Sequence, residues 1–195
     1  MTTKGICSLS VVPVRAEPND KSEMTSQLLF GDTYTVNVEV NTWKQITFDF
    51  DGYIGWIDAN QHGEISIEKY EKLLSKSHAF TLDIVYPASS SEHQLPLVIG
   101  STLHDFDGLN FKHNGEKFVY QGQAIDPSKV SFTPDLIEKL SMRYLNAPYL
   151  WGGKSPFGID CSGFTQVIMK MIGIQLKRDA YQQAMQGRDV NLIFT

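Results

Sequence analysis

Short strand-like runs, each ended by a turn signal, fill the first 130 residues and constrain the fold more than any other feature. Between Gly5 and Ile57, runs rich in β-branched and aromatic residues alternate with turn-forming pairs. These pairs are Gly31-Asp32, Asn41-Thr42 and Asp51-Gly52. Because such pairs between apolar runs are typical of short strands joined by tight turns, residues 1–58 are predicted to form a small β-barrel.

The strand-like pattern returns after a short interruption. In residues 59–76 the apolar side chains recur at helical spacing among Glu and Lys, which predicts a helical linker. These side chains are Ile67, Tyr70, Leu73 and Leu74. Strand-like runs then resume, and Asn114-Gly115 between two of them is a strong hairpin signal. Residues 77–130 are therefore predicted to form a second small barrel.

From residue 131 onward the apolar spacing becomes helical. Thr133 can cap a first helix, Asp160 a second and Asp179 a third. The second helix carries an apolar stripe formed by Phe164, Val167, Ile168 and Met171. The predicted fold class is α+β, with two small β-barrels followed by a helical segment over residues 131–195.

Composition excludes several classes of function. The 195 residues are 42% hydrophobic and 20% charged with a net charge of -5, and the basic residues are scattered, so we expect no nucleic-acid partner. The N-terminus lacks the apolar run of a secretory signal, and no stretch is long enough to span a membrane, which favours a cytoplasmic location. Clustered Cys/His spacing is absent, so no metal or cofactor is predicted.

Cys161 is the candidate for chemistry. It follows a glycine-rich loop and lies in the first turn of a predicted helix, where the helix dipole favours a thiolate and backbone amides can stabilise an oxyanion. The adjacent Gly163 would leave room for a substrate to approach the sulfur. The alternative is a buried helical cysteine that packs as a small hydrophobe. The other cysteine, Cys7, is far away in the sequence, so both are expected to be free thiols.

Three linked motifs around Cys161 resemble the NlpC-type family of papain-like cell-wall cysteine peptidases. The motifs are Tyr149-Leu150-Trp151-Gly152-Gly153, Asp160-Cys161-Ser162-Gly163-Phe164, and Arg178-Asp179 with Gln182. The two predicted barrels are similar to the bacterial SH3-like domains of this family's cytoplasmic murein-peptide branch. The third segment would then be the helical N-terminal half of a papain-like peptidase domain.

The resemblance implies hydrolysis of the γ-D-glutamyl bond to a diamino acid in murein-derived peptides. Cys161 would attack the carbonyl carbon and form an acyl-enzyme. Tyr149 would donate its hydroxyl to the oxyanion region, and Asp160 and Ser162 would contact the substrate. The alternatives from the residues themselves are that Tyr149 is a packing residue and that Asp160 is only a helix cap.

Three further residues would recognise the start of the peptide. By resemblance, Asp179 would pair with the α-ammonium group of an unblocked L-Ala, and Glu23 and Tyr53 of the first barrel would close over the same site. A capping role for Asp179, and ordinary surface and barrel roles for Glu23 and Tyr53, are the alternatives.

A papain-like mechanism needs an imidazole, which in this family follows the cysteine. All five histidines precede Cys161; they are His62, His78, His93, His104 and His113. The apolar stripe of the second helix must also be buried, since each large side chain left in water costs about 1.5–3 kcal/mol. We therefore expect a following sheet, in a missing segment or a second polypeptide, and we expect the chain alone to be inactive. A non-catalytic murein-peptide-binding protein is the competing hypothesis.

Overall fold

A computed structural model describes residues 3–188. Strands β1 to β7 form one sheet in the order β3-β2-β6-β5-β4-β1-β7. Their bounds are Thr3–Ile6, Val11–Arg15, Met24–Leu29, Thr33–Val40, Trp43–Phe48, Ile54–Asp58 and Glu64–Ile65. Every pairing in this sheet is antiparallel. One face of it buries an apolar core that includes Cys7, Val12, Tyr34, Ile46 and Ile57.

Helix α1 (Ile67–Leu74) follows the first sheet and leads to two smaller sheets. The four-stranded sheet has the order β10-β9-β13-β12, and the three-stranded sheet the order β11-β8-β14. The strands are β8 His78–Thr81, β9 Val85–Ser89, β10 Gln94–Val98, β11 Thr102–His104, β12 Asn110–His113, β13 Glu116–Val119 and β14 Ala124–Ile125. Consecutive strands β8 and β9 lie in different sheets, which divides this region in two.

The last part of the described chain contains three helices and a short hairpin. These elements are α2 Pro134–Met142, β15 Lys154–Ser155, β16 Gly158–Ile159, α3 Cys161–Met171 and α4 Ala180–Gln186. Thr133 caps α2 by accepting a hydrogen bond from the Leu136 amide, as predicted. Asp160 caps α3, and Asp179 is the N-cap residue of α4. No helix within residues 3–188 is long and apolar enough to cross a membrane.

The predicted fold class is wrong in two respects. Among residues 3–188, strands make up 37% and helices 22%, in four sheets without a closed barrel. The first sheet stays open because β3 and β7 end it as edge strands, and β3 contacts the segment before Cys161 instead of closing the sheet. The last part is not the helical half of a papain-like domain, since a β-hairpin, β15 and β16, lies directly before α3.

The prediction that the stripe on α3 needs a following sheet is also not supported. Val167, Ile168 and Met171 are already buried in a core with α2 and the three-stranded sheet. This core includes Phe80 of β8, Ile125 of β14, and Leu140 and Tyr144 at α2. The three-stranded sheet and α2 therefore cover the stripe, which the sequence predicts to be exposed unless a further sheet follows.

Two buried charges fasten α3 to the first sheet. Lys170 Nζ lies 2.6 Å from Asp32 Oδ1, and both side chains are almost fully buried. Lys170 also donates to the Gly100 carbonyl oxygen and to Thr102 Oγ1. Burial would raise the pKa of Asp32, but the charges of Lys170 and Lys154 outweigh it and lower the pKa. Lys170 therefore joins α3 to the first sheet through Asp32 and to strand β11 through Thr102.

Replacing Asp32 tests the strength of this connection. Asp32→Asn removes the charge that compensates buried Lys170, so the free energy of unfolding should fall by about 3–5 kcal/mol in urea titrations. Glu39→Gln, which breaks the exposed contact between Lys44 and Glu39, is the matched control and should leave stability nearly unchanged. Equal effects of the two substitutions would show that the buried pair does not fasten α3.

Candidate active site

Cys161 is the first residue of α3 and is exposed, whereas Cys7 is buried in the first core. Both are free thiols within residues 3–188. Burial raises the pKa of the Cys7 thiol well above its ordinary value, so Cys7 is chemically inert at neutral pH. The alternative that Cys161 packs as a small hydrophobe is therefore not supported, and Cys161 is the accessible thiol of the two.

The first turn of α3 leaves two amides available beside the sulfur. The amides of Cys161 and Ser162 have no partner inside the helix, because an α-helix cannot bond its first N–H groups. The next two amides are used by Asp160: its side chain accepts from Gly163 and its carbonyl from Phe164. A carbonyl oxygen at the sulfur would thus meet the amides of Cys161 and Ser162.

A buried ion pair holds this turn in place. Arg178 is 2% exposed, and its guanidinium donates to both oxygens of Asp160, at 3.1 Å and 2.6 Å. Asp160 also accepts from the Gly152 amide at 2.9 Å and the Gly163 amide at 2.6 Å. Burial alone would raise the pKa of Asp160, but the hydrogen bonds and charge of Arg178, with those amides, lower it. Asp160 is therefore ionised, and both of its carboxylate oxygens accept hydrogen bonds.

Ser162 belongs to the same buried network. Its hydroxyl donates to Asp160 Oδ1 and accepts from Arg178. The Arg178 side chain also donates to Ser26 Oγ on β3, so the network reaches the first sheet. The predicted contacts of Asp160 and Ser162 with substrate stay predictions, while the structure gives both residues a clear part in shaping the turn that carries Cys161.

Two glycines are explained by close packing. A Cβ on Gly163 would lie 2.3 Å from the Gly153 carbonyl oxygen, so its missing side chain makes room for the protein's own loop. Gly152 has a φ of +77°, and a Cβ there would lie 2.3 Å from the Met24 carbonyl oxygen. Packing therefore explains why residue 163 is a glycine, and its expected role in admitting substrate stays a prediction.

The predicted amine-binding residues lie at the boundary between the first sheet and the segment that carries Cys161. Trp151 Nε1 donates to Glu23 Oε1 across this boundary. Burial raises the pKa of the Tyr53 hydroxyl, and the nearby charge of Asp179 raises it further. Within residues 3–188, neither Glu23 nor Asp179 forms an ion pair with a protein cation. Their carboxylates make hydrogen-bond contacts instead, Glu23 with Trp151 and Asp179 in the capping box of α4.

Tyr149 is 68% exposed and forms an isolated β-bridge with Ile159, two residues before Cys161. A core-packing role is thus excluded for its ring. Its hydroxyl as a donor to the oxyanion remains a prediction.

The histidines lie elsewhere in the described chain. His62 Nδ1 is 3.0 Å from the Tyr34 hydroxyl, His104 Nε2 is 2.7 Å from the Gly31 carbonyl, and His113 Nε2 is 2.8 Å from Ser8 Oγ. His78 lines a cavity of about 580 Å³ together with Lys170, at the far end of α3 from Cys161. His93 lies by Glu116 on the four-stranded sheet. Residues 3–188 place no imidazole in the role of a base for Cys161.

Sequence reasoning missed the part played by Arg178. The residue was part of a motif, but nothing in its neighbours indicated that it would be buried against Asp160. Lys170 was missed too, although its place between Val167 and Met171 on the apolar stripe was a usable signal of burial.

Comparisons with known families match residues 146–193 to the NlpC/P60 family and residues 14–61 to the bacterial dipeptidyl-peptidase Sh3 domain. The predicted resemblance to the NlpC-type family is confirmed. Cys161, Asp160 and Arg178 lie inside the NlpC/P60 match, whereas Ser26, Glu23 and Tyr53 lie inside the Sh3 match. The candidate site therefore draws residues from both matched regions.

Two curated relatives match most of the chain. A gamma-D-glutamyl-L-lysine dipeptidyl-peptidase of Bacillus subtilis (strain 168) is 33% identical over 181 residues, which cover 86% of this chain and 60% of the relative. Dipeptidyl-peptidase 6 of Lysinibacillus sphaericus is 26% identical, with 85% of this chain and 68% of the relative covered. The chain thus spans about three fifths of the length of the Bacillus subtilis relative.

Solved structures share the fold. A crystal structure of an NlpC/P60 family protein from Bacillus cereus ATCC 10987 matches with a TM-score of 0.83 at 19% identity, covering 96% of this chain and 78% of that protein. An NlpC/P60 endopeptidase from Photobacterium damselae subsp. piscicida matches with a TM-score of 0.64 at 19% identity, covering 93% of this chain and 45% of that protein. The arrangement of sheets and helices therefore recurs in this family.

Stability at low pH tests the charge state of Asp160. The folded-state pKa of Asp160 is below its ordinary value of 3.8, so its contribution to stability is present above that value and lost as pH falls through the folded-state pKa. Urea unfolding between neutral pH and about pH 2 should show this loss in the wild type. Asp160→Asn should be less stable at neutral pH and show a weaker acid dependence. Parallel curves for the two proteins would contradict the assignment.

Proposed function

We propose that this chain is the substrate-binding and nucleophile-bearing part of a cysteine peptidase. The complete protein would cleave the γ-D-glutamyl bond to a diamino acid in free murein peptides with an unblocked L-Ala. The observation that carries the proposal is an exposed Cys161 at the start of α3, beside two free helix amides. A cytoplasmic role in recycling of cell-wall peptides is part of the same proposal.

The proposed reaction begins when the Cys161 thiolate adds to the γ-carbonyl carbon of D-Glu. Negative charge then moves to the carbonyl oxygen, where the amides of Cys161 and Ser162, and the hydroxyl of Tyr149, would stabilise it. The C–N bond breaks, the diamino acid leaves after accepting a proton, and an acyl-enzyme remains. Water then releases the product acid and restores the thiol.

Specificity for an unblocked peptide would come from negative charge. Asp179, with Glu23 and Tyr53 from the first sheet, would surround the α-ammonium group of L-Ala. The proposal is supported by the carboxylates of Asp179 and Glu23, which form no ion pair with a cation among residues 3–188, and by the effect of Asp179 on Tyr53. The Bacillus subtilis relative is a gamma-D-glutamyl-L-lysine dipeptidyl-peptidase by name, which agrees with a peptide of this kind.

A second function, peptide binding without cleavage, is favoured by the positions of the histidines. The proton transfers above need a base that residues 3–188 do not place by Cys161. The complete enzyme would obtain this imidazole from a further segment or a second polypeptide. For this chain by itself, we expect binding and no turnover.

Calorimetric titration with L-Ala-γ-D-Glu-L-Lys tests the binding step. Acetylation of the L-Ala amine removes a charge-assisted contact of about 1.5–3 kcal/mol, so affinity should fall about 10- to 100-fold. Asp179→Asn should weaken binding of the free peptide and abolish its advantage over the acetylated one. Asp135→Asn, in the first turn of α2, is the control and should change neither affinity. Equal affinities of wild type for both peptides would remove Asp179 from this role.

Mass spectrometry of the same mixtures tests turnover. We expect no cleavage by this chain and cleavage by the complete protein, which Cys161→Ala should abolish. Cleavage that survives Cys161→Ala would exclude Cys161 as the nucleophile. Binding without cleavage by the complete protein would favour the second function.

A further inference from the structure

Three metal-ligating side chains meet on the four-stranded sheet, apart from the Cys161 site. They are Glu92 and His93, at the end of the β9–β10 turn, and Glu116, the first residue of β13. One ligand atom from each lies within 4.8 Å of the other two. Their sequence spacing predicts no metal site, because the ligands come from different hairpins.

Strand pairing explains why the β9–β10 turn lies close to Glu116. Strands β9 and β13 pair antiparallel with Val119 opposite Ser89. Ser89 also pairs with Gln94 of β10, so residues 90–93 form the turn of this hairpin, next to β13. The ligand oxygens of Glu92 and Glu116 lie within 4.8 Å of each other, where like charges repel, and a cation between them removes the repulsion.

The turn that holds Glu92 and His93 is ordered by its own hydrogen bonds. Ser90 Oγ accepts from the amides of Glu92 and His93, both at 3.2 Å, and the Ser90 amide donates to the His93 carbonyl. The His93 ring also packs edge-on against Phe118, with centroids 5.5 Å apart. The imidazole is thus held beside Glu116 before any ligand binds.

Glu116 supplies an independent observation. Its Oε1 atom is buried without a hydrogen-bond partner, and the nearest imidazole nitrogen, His93 Nδ1, is 3.7 Å away. That distance is too long for a hydrogen bond. The Glu116 side chain is 31% exposed as a whole, but this one oxygen is shielded from water, so a cation bound beside it would be favourable.

We infer that Glu92, His93 and Glu116 form a binding site for a divalent transition metal, with Zn²⁺ as the best chemical match. One imidazole nitrogen and two carboxylate oxygens suit zinc, and a water can complete four-coordination. Two carboxylates and a neutral imidazole balance the charge of the ion. Glu92 and His93 are exposed enough to move the short distance that bonds of about 2 Å require. The ion would join the β9–β10 turn to β13.

Isothermal titration with ZnCl₂ at pH 7.5 tests the site, in a Cys161→Ser background that removes the exposed thiol as a competing ligand. We expect one zinc per chain and a rise in melting temperature with zinc. His93→Ala and Glu92→Gln should each weaken binding about tenfold or more. His78→Ala, which removes a histidine in the cavity at the far end of α3, is the matched control and should bind zinc normally.

Two results would overturn the inference. One is the absence of zinc binding up to about 1 mM, which would leave His93 and Glu116 as a simple proton-dependent ion pair. The other is binding that His93→Ala and Glu92→Gln do not change. Since Glu92 and His93 lie on an exposed turn, these variants should fold, and their melting temperatures without zinc verify that.

Discussion

The buried ion pair between Arg178 and Asp160 determines the geometry of the site. Removing two charges from water is costly, and the cost is offset only when every polar atom finds a partner. Here Asp160 accepts from the guanidinium, from two backbone amides and from Ser162, while Arg178 also reaches Ser26. A single network therefore fixes the loop before Cys161, the start of α3 and the segment before α4.

The same network explains why the first sheet is part of the site. Its strand β3 provides Ser26 to Arg178 and Gln27 to the Lys154 amide. Gln166 of α3 donates to Asp51, and Lys170 pairs with Asp32. These buried polar contacts hold the sheet against α3 in one register. Tyr53 is thereby kept near Asp179, and Glu23 is kept in contact with Trp151, ahead of Cys161 in the chain.

Local features of the fold could be predicted from the sequence because they depend on short-range chemistry. Asn41 and Asn114 adopt positive φ at the predicted turns, and Thr133 and Asp160 cap the predicted helices. The motifs around Cys161 likewise predicted the resemblance to the NlpC/P60 family that the comparisons find. Long-range features could not be predicted in this way. The open edge of β3 and the burial of the α3 stripe depend on partners far away in the sequence, and so does the pairing of Arg178 with Asp160.

The reactivity of Cys161 is the most direct test of this account. The rate of its alkylation by iodoacetamide can be measured by mass spectrometry in the wild type and in Arg178→Lys, with buried Cys7 as an internal reference. Lysine keeps the charge but lacks the planar guanidinium that donates two parallel hydrogen bonds to the oxygens of Asp160. The account predicts slower alkylation of Cys161 in the variant while Cys7 stays unmodified. An unchanged rate in a folded variant would show that the Arg178–Asp160 pair does not position the nucleophile.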